Sequence, residues 1–261
     1  SFFGSLGKDI YGKHVVDEMK ADGIDISNLE LLDNYNTAMV IGVVEESSER
    51  YFFLWPPIDG AHNQYTLGDK SRKDLLNCDW LHVSGISLRF SPVKETMLEA
   101  MRLCYEKSKI VSFDLNLRSE LWGFSESFKQ TVLEAVSYSS IVFGNLREEF
   151  LLLYDGNEDT LDKHIANKQM FICRNGHSGA LGITKKEKVI SNAIPISPID
   201  SVGAGDAFNT GFIYASCCGK DIEKSLDTGN QVAAFKLLGS GARYLPTKEL
   251  LEDFNRKYLI D

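Results

Sequence analysis

The sequence predicts an α/β fold built on a doubly wound, mostly parallel sheet with helices on both faces. Between residues 80 and 174, short apolar runs alternate with longer segments whose apolar residues recur every three or four positions. Parallel strands need crossover connections of this kind, and the usual crossover is a helix. The 261 residues, 43% of them hydrophobic, are enough for one large domain, and neither a repeat nor a linker divides them. We therefore expect a single domain over residues 1–261.

The front of the chain predicts a helix followed by a β-hairpin. Apolar residues at helical spacing over 8–22 end at Gly23. Two strands follow, at 37–44 and Arg50–Trp55, joined by an acidic turn at 45–49. This predicts a small β-sheet within about residues 33–60.

The remainder predicts strand and helix in alternation, then a second hairpin and three helices. In order, the predicted elements are strand Trp80–Ser84, helix 92–107, strand Ile110–Asp114, helix Glu126–Ser137, strand Ile141–Asn145, a helix from Arg147, strand Met170–Arg174, hairpin strands 180–184 and 189–192, and helices 205–217, 222–238 and 247–258.

Composition excludes several classes of protein. A net charge of −9 with scattered Lys and Arg argues against binding to nucleic acids and anionic membranes. There is no apolar run of 18 residues, and the five Cys show no C-x-x-C spacing, as expected for reduced thiols in a cytoplasmic protein. The five His lack zinc-site spacing, and the P-loop, the G-x-S-x-G motif and the dinucleotide G-x-G-x-x-G motif are absent.

The segment 200–208, Asp-Ser-Val-Gly-Ala-Gly-Asp-Ala-Phe, carries the most chemical information. An extended run with two prolines precedes it, and a helical pattern follows it. Glycines let backbone N–H groups approach an anion, and the first turn of a helix leaves those groups without intrahelical partners. Such an anion hole stabilises a phosphoryl group during transfer, and a carboxylate at Asp206 beside it could take a proton from an attacking hydroxyl. The alternative is a glycine-rich turn in which Asp206 is only a helix cap.

This segment resembles the signature D-T-x-G-A-G-D-x-F of the ribokinase-like (PfkB) carbohydrate kinases. Eight of nine elements match, with Ser201 in place of Thr, and Thr210 stands where the family has a small residue. The resemblance implies that Asp206 is the catalytic base and that the backbone of Gly203, Ala204 and Gly205 forms the anion hole. It also implies that Asp200 lies near the substrate and beside a monovalent-cation site.

Two further motifs resemble this family. Asn145 and Glu148 match N-x-x-E, which implies contacts to the nucleotide phosphates and to Mg²⁺ through water; a helix cap followed by a surface glutamate is the alternative. The segment with Asp114, Asn116 and Arg118, followed by Leu-Trp, is similar to a D-x-N-x-R…L-W stretch of the fructokinase and 2-keto-3-deoxygluconate kinase branches. That similarity implies substrate binding, against a surface salt bridge of Arg118 with a nearby glutamate.

Four more residues are assigned to the nucleotide by resemblance. Gly176 and Gly179 match a G-x-x-G loop between two strands, although a plain hairpin turn explains them nearly as well. Asn230 and Gly241 fall in the region that flanks adenine and the cation site in relatives.

The resemblance implies an ATP-dependent sugar kinase that transfers the γ-phosphate to a hydroxyl of a ketose or keto-sugar acid. Fructose is preferred, with 2-keto-3-deoxygluconate and nucleosides as alternatives. ATP and Mg²⁺ are the implied cofactors, with K⁺ as an optional third, and the 33–60 hairpin would be a lid over the sugar and a surface for homodimer formation. The rivals from other classes are a non-catalytic sugar-binding regulator and a Rossmann-type oxidoreductase.

The chain also lacks parts of the family pattern. Residues 4–12 match a G-x-x-G-x-D-x-x-G stretch, but the first strand of the family and its Gly-Gly…Asn motif normally precede this point. We therefore expect the natural protein to be longer at its N-terminus.

Overall fold

The computed structural model describes residues 1–44, 50–56, 58–154 and 156–258. The chain divides into two compact units. The first comprises Ser1–Phe113 and Leu117–Ser139, and the second comprises Asp114–Asn116 and Ser140–Asp261.

The first unit begins with a strand, a helix and a parallel strand. β1 (Phe3–Gly7) pairs in parallel with β2 (Asn28–Leu32), and α1 (Ile10–Ala21) connects them. Asp9 caps α1 by accepting a hydrogen bond from the Gly12 amide at 2.8 Å, and its second oxygen accepts one from the Thr37 amide at 2.8 Å. A Cβ on Gly12 would lie 2.0 Å from the Gly7 carbonyl oxygen, so the close approach of helix and strand requires glycine there.

A two-stranded antiparallel sheet follows, as the sequence predicted. β3 (Met39–Val44) pairs with β4 (Arg50–Trp55), with Ile41 opposite Phe53. The predicted acidic turn at 45–49 lies outside the described residues. The side chains of Ile41, Phe53 and Trp55 are exposed. The role of this hairpin as a lid and dimer surface stays a prediction.

The rest of the first unit alternates helices and strands. Its elements are α2 (Asp69–Leu76), β5 (Trp80–Ser84), α3 (Val93–Glu106), β6 (Ile110–Asp114, whose last residue belongs to the second unit), α4 (Ser119–Trp122) and α5 (Glu126–Ser137). β5 and β6 are neighbours in a sheet.

The second unit contains four paired strands and the C-terminal helices. Its elements are β7 (Ile141–Asn145), a π-helical turn (Leu146–Phe150), α6 (Leu151–Leu153), β8 (Met170–Arg174), β9 (Ala180–Ile183), β10 (Lys188–Ser191), α7 (Ala204–Cys217), α8 (Ile222–Leu237) and α9 (Lys248–Tyr258). β7 and β8 are parallel, whereas β9 is antiparallel to both β8 and β10. Strands β7 and β8 are apolar up to their last residues, Asn145 and Arg174, and largely buried, as expected for strands covered on both faces.

Helices α7 and α8 pack closely because two glycines face the contact. A Cβ on Gly211 would lie 2.7 Å from the Thr228 carbonyl oxygen, and one on Gly229 would lie 2.8 Å from the Phe208 ring. Thr210, which departs from the family pattern, is exposed, and its hydroxyl donates to the Asp206 carbonyl at 2.8 Å. The Thr210 side chain therefore lies at the solvent-exposed surface of α7.

Most predicted elements are confirmed to within two residues, including the alternation that defines the α/β class. The short strands β1 and β2 and the helix α2 were not predicted. Among the described residues, no helix has the length and apolar character that crossing a membrane requires.

Candidate active site

The N-terminus of α7 is formed by the glycine-rich segment that the sequence singled out. Gly203 is the residue before the helix and has a left-handed backbone with φ 80° and ψ 5°. A Cβ there would lie 3.0 Å from the Cβ of Ala242, so both conformation and space favour glycine. The amide groups of the first helical turn have no acceptor within the helix and carry partial positive charge. This geometry suits an anion.

Asp206 lies in that first turn and is exposed to solvent. Its neighbour Gly205 is in contact with Arg174, because a Cβ on Gly205 would lie 3.0 Å from Arg174 Nη1. A carboxylate is thus presented to solvent beside the helix N-terminus, with a buried guanidinium beneath the preceding glycine.

Arg174, the last residue of β8, is the centre of a polar network. Its guanidinium donates to both carboxylate oxygens of Asp114, at 2.8 and 3.0 Å, and to the Asn209 side-chain oxygen at 2.9 Å. Asn209 also donates to Asp114 at 2.7 Å, and a Glu149 oxygen lies 3.6 Å from Arg174 Nη2. The Arg174 and Asp114 side chains are only 16% and 5% exposed. The network joins the ends of β6 and β8 and the turn after β7 to the second turn of α7.

Burial by itself would lower the pKa of Arg174, but the neighbouring carboxylates outweigh it. Asp114 contributes most, followed by Glu149 and Asp206, and together they hold the pKa of the guanidinium above its usual value. The side chain is therefore a permanent positive charge close to the N-terminus of α7.

This network changes the interpretation of Asp114. We expected its carboxylate to line the substrate side, yet it is 3% exposed as a residue and accepts hydrogen bonds from Arg174 and Asn209. Its contacts are those of a residue that fixes the helix carrying Asp206.

Asp200 lies just before the anion-binding turn and holds two loops together. One carboxylate oxygen accepts from the Val202 amide at 3.0 Å and the other from the Gly241 amide at 2.8 Å. Gly241 has φ 83°, and nothing lies within 4 Å of a Cβ built there. The structure therefore brings Asp200, Gly203 and Gly241 together, as the motif analysis implied.

Asn145 and Glu148 follow β7 as predicted, but the π-helical turn gives their side chains different surroundings. The Asn145 side chain accepts from the amides of Arg147 and Glu148, each at 3.0 Å. Glu148 is exposed, whereas the carboxylate of Glu149 accepts from the Asn145 amide at 2.6 Å and approaches Arg174. The helix-cap alternative thus describes Asn145 accurately, and Glu148 remains accessible to a ligand.

The predicted nucleotide residues differ in their surroundings. Gly179, with φ 86°, is required by packing, because a Cβ would lie 2.1 Å from the Ser191 carbonyl oxygen, whereas Gly176 faces open space. The Asn230 amide donates to Ser191 and to the Asn192 carbonyl, and the residue is buried. Asn230 therefore ties α8 to β10.

Asn116 and Arg118 both have left-handed backbones, with φ of 36° and 47°. Asn116 belongs to the second unit and is partly exposed. Arg118 belongs to the first unit and lies 3.9 Å from Glu120, with both side chains more than half exposed. Exposed pairs of this kind contribute little stability, so Arg118 remains available to a ligand.

The donor set fits a metal ion that arrives with a nucleotide. No group of three or more His, Cys, Asp or Glu among the described residues could hold a metal ion by itself. Mg²⁺ keeps several waters and commonly takes one or two carboxylates together with phosphate oxygens. The exposed carboxylate of Glu148 meets that requirement.

Motif reasoning missed Arg174, Asn209 and Glu149. Arg174 and Asn209 carried a weak signal, since a polar residue ending a buried strand and an Asn inside an apolar helix face both need partners. Their partner Asp114 is 60 and 95 residues away in sequence, so its identity required the folded structure.

Comparison with known proteins agrees with this geometry. The profile of one family, described as pfkB family carbohydrate kinase, matches residues 1–249. A 5-dehydro-2-deoxygluconokinase from Clostridium perfringens is 26% identical over 98% of the chain and 78% of its own length. A fructokinase from Salmonella typhimurium is 27% identical over 81% of the chain and 69% of its own length.

A solved structure has the same architecture. The crystal structure of fructokinase from Vibrio cholerae O395, in a form with fructose, ADP and calcium ion bound, superposes with a TM-score of 0.82 at 27% identity. The match covers 97% of this chain and 84% of that one. The predicted ribokinase-like fold class is thereby confirmed.

Proposed function

Because the chain belongs to the pfkB family of carbohydrate kinases, we propose that it transfers the γ-phosphate of ATP to a hydroxyl of a ketose or keto-sugar acid. The observation that carries this proposal is the juxtaposition of Asp206 with the glycine-lined N-terminus of α7 above the buried charge of Arg174. The family excludes the oxidoreductase interpretation.

In this proposal Asp206 is the general base. Its carboxylate takes the proton of the sugar hydroxyl as the hydroxyl oxygen attacks the γ-phosphorus and the bond to the β-phosphate oxygen of ATP breaks. The exposed position of Asp206 in the first turn leaves its carboxylate accessible to a bound alcohol. The products are the sugar phosphate and ADP.

The backbone amides of Gly203, Ala204 and Gly205 would stabilise the negative charge of the transferred phosphoryl group. Preorganised donors of this kind act most strongly on charge that develops in the transition state. Two features support their preorganisation: Ala242 packs against Gly203, and Arg174 packs against Gly205. The fixed charge of Arg174 adds to the positive potential of the helix N-terminus.

The nucleotide is assigned to the side of Asn145, Glu148, Gly176, Gly179 and Gly241. Mg²⁺ bound with the nucleotide would neutralise part of the phosphate charge, and Glu148 is the carboxylate proposed to reach its water shell. The Gly176 and Gly241 backbones face open space and are accessible to a ligand.

The substrate class is the finer part of the proposal. Relatives named fructokinase and 5-dehydro-2-deoxygluconokinase both match the chain at about one quarter identity, which favours a ketose or a keto-sugar acid over a nucleoside. Asn116 and Arg118 are the residues proposed to contact it, and Arg118 would suit an acidic sugar because its guanidinium can bind a carboxylate. Asp200 and Asp114 would then act by holding the loops and the helix around it.

The test is a screen for sugar-dependent ADP formation with ATP and Mg²⁺. The panel contains fructose, 2-keto-3-deoxygluconate, 5-keto-2-deoxygluconate and two nucleosides, and phosphorus NMR identifies the ester formed. The expected result is turnover with one of the first three substrates, reduced about a hundredfold or more in Asp206→Asn. Sugar binding by calorimetry without ADP formation would instead favour a sugar-binding regulator, and turnover with nucleosides alone would overturn the substrate class.

Arg118→Ala separates the two preferred substrate classes, with Arg102→Ala as a matched exposed control. If the substrate is a keto-sugar acid, we expect KM for it to rise about tenfold or more through loss of a charge-assisted hydrogen bond. If fructose is the substrate, the effect of Arg118→Ala is expected to be much smaller.

A further inference from the structure

Lys236 is a buried lysine that the proposed reaction does not use. It lies in the last turns of α8, and its side chain has no exposed surface. Lysine is almost never fully buried unless its charge is paired, because an ammonium loses its hydration there. The complete burial of an ammonium at this position therefore requires a structural explanation.

The ammonium is surrounded by oxygen atoms from two loops. It donates to the Asp200 carbonyl at 2.7 Å and to the Gly239 carbonyl at 3.4 Å, and it lies 4.0 Å from a carboxylate oxygen of Asp200. Carbonyl and carboxylate oxygens are also the ligands that a hard cation takes in proteins. The amine of Lys236 thus has the surroundings of a bound cation.

These contacts act on the anion-binding turn. The loop from Asp200 leads directly into Gly203, and the loop from Gly239 leads to Ala242, which lies 3.0 Å from the Cβ position of Gly203. Asp200 also accepts a hydrogen bond from the Gly241 amide. The Asp200 carboxylate and the Lys236 ammonium therefore both connect the two loops. Loss of the ammonium would leave the Asp200 and Gly239 carbonyls without their buried donor.

We propose that Lys236 is a positioning residue whose ammonium holds the Gly203 turn as a built-in cation, so that phosphoryl transfer needs no dissociable monovalent ion. The sequence resemblance implied K⁺ beside Asp200, and in this proposal the side chain of Lys236 takes that role. The inference rests on the proposed kinase function. A purely structural lysine would affect stability, but removing it would not create a dependence on monovalent cations.

The first experiment uses the wild-type protein. Turnover is measured at constant ionic strength in KCl, NaCl and choline chloride, and we expect the three rates to agree to within about twofold because no ion has to bind. A several-fold higher rate in KCl would overturn the proposal without any variant.

The second experiment uses Lys236→Ala in choline chloride. We expect kcat to fall about tenfold or more, with a smaller change in KM for the sugar, because the anion hole acts mainly in the transition state. K⁺ or ethylammonium should restore part of kcat by entering the space that the side chain leaves. Unchanged kcat in choline chloride, or a loss that neither cation reverses, would contradict the proposal.

Two controls make the outcome decisive. Lys224→Ala removes an exposed lysine from the same helix, and its turnover should match wild type in every salt.

Thermal unfolding in KCl and choline chloride gives a readout without turnover: K⁺ should specifically stabilise Lys236→Ala and not the wild type. If no sugar is phosphorylated, the kinase proposal fails while this measurement still decides the cation role. If Lys236→Ala does not fold, Lys236→Met replaces it in both assays, with loss of kcat in choline chloride as the expected result.

Discussion

Replacement of Arg174 tests how the protein fixes the helix that carries Asp206. Arg174→Met keeps much of the side-chain volume but removes two hydrogen bonds to Asp114, one to Asn209 and the ion pair with Glu149. The Asp114 side chain, 5% exposed, would then lose both guanidinium donors and retain the hydrogen bond from Asn209.

The magnitude follows from that burial. Removal of one partner of a buried ion pair typically costs about 3–5 kcal/mol, because the other charge stays desolvated. Single domains are stable by about 5–15 kcal/mol, so Arg174→Met should unfold at much lower urea concentration. Turnover of the folded fraction should also fall, since Gly205 packs against the guanidinium.

The assay is equilibrium unfolding in urea, with Arg102→Met as the control for an exposed arginine. Arg102 pairs with Glu106 on the surface of α3, and its replacement should change the free energy of unfolding by less than about 0.5 kcal/mol. The double variant Arg174→Met with Asp114→Asn should cost less than the two single changes added together, because Asn at position 114 carries no buried charge that has lost the guanidinium. A cost below about 1 kcal/mol for Arg174→Met, or strict additivity in the double variant, would refute this reasoning.

Two further predictions concern the glycine turn and the front of the chain. Gly203→Ala should lose about 1–2 kcal/mol through its left-handed backbone and more through contact with Ala242. Gly176→Ala, also left-handed but in open space, should lose less in thermal unfolding, and equal losses would contradict the packing argument. Asp9→Ala should cost about 1 kcal/mol at pH 7 by removing the cap of α1. Although burial acts to raise the pKa of Asp9, hydrogen bonds from the Gly12 and Thr37 amides lower it below 3.8, so the stabilisation is present above that pH and is lost as pH falls through the lowered value. Urea unfolding of wild type and Asp9→Ala at pH 7 and at about pH 2 checks this prediction. An equal loss of unfolding free energy at both pH values would contradict the assigned role of the carboxylate.

The sequence was sufficient for the strands whose pattern is strong. β5, β6, β7 and β8 have the predicted bounds because each is a short apolar run rich in β-branched and aromatic residues. β1 and β2 have the same length but were missed, because β1 contains two glycines and β2 contains Asn28 and Glu30, so neither is a continuous apolar run. Local pattern cannot report a strand that long-range contacts stabilise.

In the candidate site, too, the local sequence predicts some features, while others depend on contacts between distant residues. The segment 200–208 predicted a glycine-rich turn followed by a helix near Gly205, and α7 begins at Ala204, since this boundary depends on local backbone chemistry. The partners of Asp114 could not be read from the sequence, because Arg174 and Asn209 reach it from β8 and α7. Likewise a π-helical turn after β7 directs Glu149, and not Glu148, toward Arg174, a difference of one residue that spacing alone does not determine.

The central claim is that the carboxylate of Asp206 deprotonates an alcohol beside the anion hole. Its most direct test is the turnover of Asp206→Asn with the best sugar from the screen, at saturating ATP and Mg²⁺. We expect a loss of about two to four orders of magnitude with little change in the free energy of unfolding, because the side chain is exposed and its replacement is nearly isosteric. A stable Asp206→Asn protein with turnover near wild type would contradict the claim.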